Sequence, residues 1–169
     1  GFMMTHPGKK LLFMGQDMGQ ISEWNENESI PWNLLEYDIH RQTRDYVRRL
    51  NELYRSHPAL YQLDFHPDGF EWIDCISSQE NIVVFLRKTR KPEETLLVLC
   101  NFAPVAHEKY RVGVPFHGKY KEIFNSDSAE FGGSGMVNSR AKTSRKEECS
   151  GREESIVIDL APLGFQVFS

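Results

Sequence analysis

Between Gly15 and Trp32 the chain sets Gln16, Asp17, Gln20, Glu23, Asn25, Glu26 and Glu28 around two tryptophans, Trp24 and Trp32. Carboxylates and amides beside indoles suit a sugar: the polar groups meet hydroxyls, while the indole face packs on the C–H surface of the ring. Two such acids could serve as a glycosidase pair, one acting as acid and the other as nucleophile or base. Acids are common in loops, however, and nothing in this spacing fixes a separation. The sequence therefore assigns no catalytic pair within this stretch.

Other constellations are weaker. The six histidines, His6, His40, His57, His66, His107 and His117, show no metal-ligand spacing. Cys75, Cys100 and Cys149 are odd in number and far apart, which excludes a disulfide framework and a Cys-x-x-Cys zinc site and fits a reducing cytoplasm. Cys75 and Cys100 sit in strand-like runs and are expected to be small core residues. Gly133-Ser134-Gly135 falls short of the full nucleophile-elbow pattern. Phe131-Gly132-Gly133-Ser134-Gly135 lacks the Gly-Lys-Ser/Thr ending of a phosphate loop. Trp72, Phe85, Phe102, Phe165 and Phe168 are expected to be sandwich core rather than sugar platforms.

The elements that position the sugar-like loop are a strand before it and a helix after it. Leu11-Leu12-Phe13-Met14 reads as a strand buried on both faces, the kind found inside a parallel sheet, yet residues 1–8 hold no neighbour for it. A loop following such a strand would lie at its C-terminal edge, where barrel enzymes hold their sites. From Asp38 to about His57, Ile39, Tyr46, Val47, Leu50, Leu53 and Tyr54 form one helical stripe, with Asp38 as N-cap and Pro58 as the stop. The opposite face, Arg41, Arg44, Arg48, Arg49 and Arg55 with Asp45 and Glu52, reads as a solvated surface with ion pairs.

After Pro58 the texture becomes β. Phe70–Ile76, Ile82–Thr89, Thr95–Phe102, Tyr110–Val114, Lys119–Asn125, Ser155–Leu160 and Gly164–Ser169 are strand-like and are separated by turn signals, including Ser77–Asn81. This pattern predicts an antiparallel β-sandwich. Ser126 to Glu154 is expected to be a mobile loop. With 169 residues, 40% hydrophobic, 12% aromatic and 26% charged, the chain suits a globular domain with a real core. A net charge of -4 and a pI near 5.9 argue against nucleic-acid binding. No apolar run approaches the roughly 20 residues of a membrane span, and residues 1–7 do not read as a signal peptide.

Several motifs together resemble the late barrel segment of bacterial-type 1,4-α-glucan branching enzymes, in the α-amylase superfamily. They are Lys10-Leu11-Leu12-Phe13-Met14-Gly15, Gly19-Gln20, Glu23-Trp24-Asn25 and Pro31-Trp32-Asn33-Leu34-Leu35-Glu36-Tyr37. The likeness continues through Leu53-Tyr54-Arg55, Pro58-Ala59-Leu60, Gly69-Phe70-Glu71-Trp72-Ile73-Asp74, Val98–Pro104, Tyr110–Pro115 and Gly132–Gly135, in the same order. The resemblance implies two parts: residues 1–63 as the eighth strand, loop and helix of a (β/α)8 barrel, and residues 64–169 as an all-β C-terminal domain. It also implies that the family's catalytic acids lie upstream, so this chain alone is non-catalytic and needs no metal or cofactor. Its partners would be the rest of its own barrel and, through the parent enzyme, an α-glucan such as glycogen or amylose. Asp17, Glu23 and Trp24 would belong to the substrate rim; Asp17 stands where the family more often has Glu. The alternative reading is a glucan-binding β-sandwich, with Trp72, Tyr110 or Tyr120 as platform.

Overall fold

A computed structural model describes residues 1–75 and 80–169. The Ile76 end of the first expected strand and the Ser77–Gln79 part of the expected turn lie outside the described residues. Two helices precede the strands: a single turn, α1 (Phe2–Thr5), and the long α2 (Asp38–Ser56). The stripe of α2 buries Leu50 and Leu53, and the chain turns extended at His57 ahead of Pro58. Tyr37, not Asp38, takes the N-cap position. Asp38 is the first helical residue, where its charge suits the positive helix end while it pairs with Arg41.

The strands are β1 (Phe70–Asp74), β2 (Ile82–Arg87), β3 (Leu96–Asn101), β4 (His107–Val114), β5 (Lys119–Tyr120), β6 (Glu122–Asn125), β7 (Lys142–Thr143), β8 (Glu154–Leu160) and β9 (Phe165–Phe168). Five of them form one antiparallel sheet, in the order β1-β2-β3-β9-β6, while β4 pairs with β8 and β5 with β7. The expected Lys119–Asn125 strand is therefore split. Lys121 exchanges backbone hydrogen bonds with Ser169, so β5 turns away toward β7 while β6 joins β9.

The large sheet is covered on both faces. On one side Phe85, Val98, Cys100 and Val167 pack with Met4, Leu50, Leu53 and Leu60 from the helical part. On the other, Val84, Leu86, Leu97, Leu99 and Phe168 pack with Val112, Ile156 and Ile158 of the β4–β8 pair. Hence every residue of β3 is buried, and its sequence, Leu-Leu-Val-Leu-Cys-Asn, shows no alternation. The expected sandwich is present with a helical layer added.

Arg87 joins the layers. It is fully buried at the end of β2, where it donates to the carbonyls of Thr5, Leu60 (3.1 Å) and Gly69 (3.3 Å) and pairs with Asp64 at 2.7 Å. Asp64 in turn accepts the Gly8 amide at 3.0 Å.

Three local expectations are corrected. Leu11–Phe13 is exposed and forms no strand, because a strand needs a ladder partner and none reaches it. Cys75 is exposed, just past the end of edge strand β1. The Ser126–Glu154 stretch, expected as one loop, carries a 3-10 turn (Ala129–Phe131), the strand β7 and a set of side-chain hydrogen bonds. Asp127 accepts hydrogen bonds from the Ser134 amide (2.9 Å), the Ser134 hydroxyl (2.6 Å) and the Met136 amide (2.9 Å). Asn138 bonds Glu122 and the backbone of Asp159.

Candidate functional site

Gly15 and Gly19 both adopt left-handed backbone, with φ of 80° and 67°, on either side of the 3-10 turn Gln16–Met18. A Cβ on Gly15 would lie 2.3 Å from the Gln20 Oε1. The turn buries Met18, whose carbonyl lies 2.8 Å from the His40 Nδ1 on α2. This contact anchors the sugar-like loop to the helix.

Asp17 lines a groove of about 770 Å³ with Leu12, Leu35 and the arginine face of α2. Two of the groove's arginines pair within the helix, Arg41 with Asp38 and Arg48 with Asp45 at 3.0 Å, as does Arg49, outside the groove, with Glu52 at 2.7 Å. Glu23 lines a separate recess of about 80 Å³, with Gln20, Asn25 and Glu28. Trp24 is 50% exposed and stands edge-on to Phe13 at 5.4 Å. Asp17 and Glu23 thus face different hollows, and the structure does not gather Asp17, Glu23 and Trp24 into one concave site. The arrangement offers polar groups and exposed indoles for contact, without a nucleophile–base pair. Among the described residues, no cluster of three His, Cys, Asp or Glu could hold a metal ion.

One grouping that sequence reading misses joins Ser144, His117 and Glu154, which lie far apart along the chain. The His117 Nδ1 is 3.4 Å from the Ser144 Oγ and 3.3 Å from the Glu154 carboxylate. The hydroxyl of Ser144, and after it His117, holds the Glu154 carboxyl below its ordinary 4.5. A catalytic triad needs the acid on one ring nitrogen and the nucleophile on the other. Here both meet Nδ1 and Ser144 is buried, so the contact is a tie between the loop after β4 and the start of β8.

The aromatics do not form a common platform. Trp72 is 42% exposed, against the expectation of core, because β1 is an edge strand. Its ring rests edge-on against Phe70 at 4.8 Å and Phe85 at 5.7 Å. Tyr110 and Tyr120 pack into the core on the other face of the sheet. Phe102, just past the end of β3, is also exposed, whereas Phe85, Phe165 and Phe168 are buried as expected.

A five-stranded antiparallel sheet backed by a two-stranded layer defines an all-β domain carrying a helical N-terminal part. The chain belongs to the alpha amylase C-terminal all-beta domain family, whose model matches residues 72–169. It is 48% identical over 168 residues to a 1,4-alpha-glucan branching enzyme GlgB of Oceanobacillus iheyensis, a match covering 99% of this chain and 26% of that enzyme. GlgB enzymes of Synechococcus elongatus and Aquifex aeolicus are each 47% identical over 163 residues, covering 96% of this chain and 21% and 26% of their own lengths. The chain thus spans about a quarter of the length of the curated relatives it matches. A solved MutB variant aligns over 83% of this chain and 21% of its own, with a TM-score of 0.46 and 16% identity.

Proposed function

We propose that this chain is the C-terminal part of a 1,4-alpha-glucan branching enzyme, which forms α-1,6 branches in glycogen by transferring α-1,4-glucan chains. The observation that carries the reading is identity of 47–48% to three such enzymes across nearly the whole chain, the helical part included. The chemistry would be that of a retaining glycosidase with a sugar hydroxyl in place of water. Its acids would lie upstream, in a cytoplasmic parent that requires no cofactor. In this reading residues 1–63 complete the catalytic barrel, their partner is its remainder, and Asp17, Glu23 and Trp24 face the glucan at its rim. Residues 64–169 are architectural.

The test is to express the complete natural polypeptide and incubate it with amylose, following new α-1,6 anomeric signals by proton NMR. The complete polypeptide forms them and residues 1–169 alone do not. Branching by residues 1–169 alone, or none by the complete polypeptide, overturns the reading.

The exposed indole of Trp72 favours a second reading, a glucan-binding β-module. Retardation of the chain in an amylose-containing gel, lost on Trp72→Ala, would support it.

A further inference from the structure

The outward face of the β4–β8 pair carries a groove of about 630 Å³, lined by Lys109, Arg111, Lys142 and Arg145 and by no acid. Its place follows from the strand alternation. Val112, Ile156 and Ile158 point into the core shared with the large sheet, so Arg111 and its cross-strand partner Val157 point away from it. The helical part packs on the opposite face of the large sheet, which leaves this groove on the far side of the molecule. The chain as a whole has a net charge of -4, so four cations around one hollow are a local reversal of sign.

The cations are set on fixed backbone. Lys109 occupies the bulge of β4 in left-handed backbone, φ 55°, and its amide donates to the Asp159 carboxylate at 3.0 Å. A bulge re-aims a side chain, and lysine tolerates this backbone less well than glycine would. The Arg145 amide and carbonyl both bond the Ser155 backbone, at 2.9 and 3.0 Å, while Lys142 pairs with Tyr120 in the β5–β7 ladder. Arg111 donates to the buried Ser155 hydroxyl at 3.0 Å and pairs with Glu147 at 2.6 Å. It is the one groove cation with an ion pair among the described residues.

Guanidinium forks match phosphate oxygens bidentately, and ammonium groups add point charge. The hollow is wider than a phosphate alone fills. Its uncharged lining, Ala141, Thr143 and Val157, offers a hydroxyl and small apolar surface, a mixture that suits a sugar ring. We propose that this groove binds a phosphate monoester carried on an α-glucan chain, with the phosphate held by Lys109, Arg111, Lys142 and Arg145 and the sugar packed on Val157. The choice of a glucan as carrier rests on the reading of this chain as part of a branching enzyme, whereas the choice of an anion does not. Neutral glucan lacks the anion, so toward it the strands remain architectural.

An amide NMR titration of residues 1–169 tests it, with maltoheptaose phosphorylated at a primary hydroxyl as the probe. Neutral maltoheptaose, inorganic phosphate and a poly-glutamate peptide serve as comparisons. The phosphorylated sugar should give saturable shifts on Arg111, Thr143, Arg145 and Val157, should bind at least about tenfold more tightly than inorganic phosphate, and should weaken as salt rises past about 0.1 M. Lys142→Gln with Arg145→Gln should weaken binding at least about tenfold. Lys109→Gly suits the left-handed backbone, so it should weaken binding while leaving the melting temperature unchanged or raised. Silence in the groove overturns the proposal, as do equal shifts from neutral maltoheptaose. Equal affinity for inorganic phosphate also overturns it, marking a free-anion site, and equal affinity for poly-glutamate would mark an acidic protein segment as the occupant instead. Branching by the complete polypeptide is a separate readout, so failure here and failure of the functional reading remain distinct.

Discussion

Arg87 carries a charge at a place with no exposed surface, and its donors go to three segments of chain. Breaking a buried pair leaves the other partner desolvated and alone, a larger penalty than the net worth of the pair. Arg87→Met would strand Asp64 and the carbonyls of Thr5, Leu60 and Gly69. It should lower stability in urea by about 3–5 kcal/mol, with the N-terminal segment losing hydrogen-exchange protection first. A loss below about 1 kcal/mol would show that the pair stabilises no more than a surface bridge does. In the sequence, Arg87 is the first charged residue of the expected Ile82–Thr89 strand, where its apolar run ends. Its burial depends on Thr5, Leu60 and Gly69 converging on it, and no local pattern encodes that.

At the level of elements, the loop after β6 shows how short-range chemistry can build structure in a stretch without a periodic pattern. Asn125 accepts the Asp127 amide at 2.8 Å, and Asp127 gathers Ser134 and Met136. A Cβ on Gly133 would fall 2.3 Å from the Asp127 backbone, which is the reason for glycine at that point. Burial pushes the Asp127 carboxyl up, but hydrogen bonds from Ser134, Met136 and Gly135 outweigh it and hold the group below its ordinary 3.8. A depressed folded value means stability that is present above pH 3.8 and lost as pH falls through the lower folded value. Asp127→Asn should therefore be less stable at pH 7 and should lose less on acidification below pH 3.8; parallel acid profiles for the two chains would contradict this. The sequence shows charges and glycines in this loop, and only the Asn-x-Asp spacing hints at the turn. Helix α2 and the strands were readable because their apolar residues sit at regular periods. Leu11–Phe13 misled for the same reason: an apolar run records what a segment was selected to bury, and a strand forms only where a partner completes its hydrogen bonds. Trp72 and Phe102 misled because alternation reports the face of a sheet and not where the neighbouring layer ends.

On the scale of the whole molecule, the helical part and the strands share one core, since Met4, Leu50, Leu53, Ala59 and Leu60 pack directly on the sheet. A chain reduced to residues 64–169 would uncover Phe85, Val98 and Phe165 on that face. It should bind the dye ANS and scatter light at concentrations where residues 1–169 do not. A monomeric, cooperatively melting 64–169 fragment would contradict this and make the helical part dispensable. The exposed Leu11, Phe13, Ile21 and Trp32 gather in the N-terminal part, where the proposed barrel would cover them. The β-rich part holds two internal cores and also leaves Trp72, Phe102, Phe116 and Leu163 exposed. The most direct measurement is an amide NMR titration of residues 1–169 with maltoheptaose at millimolar concentration. An architectural β-domain predicts no saturable shifts on residues 70–169, with any response confined to Gln16–Trp32. Saturable shifts on the strands, centred on Trp72, would contradict it and make the sheet itself a glucan-binding surface.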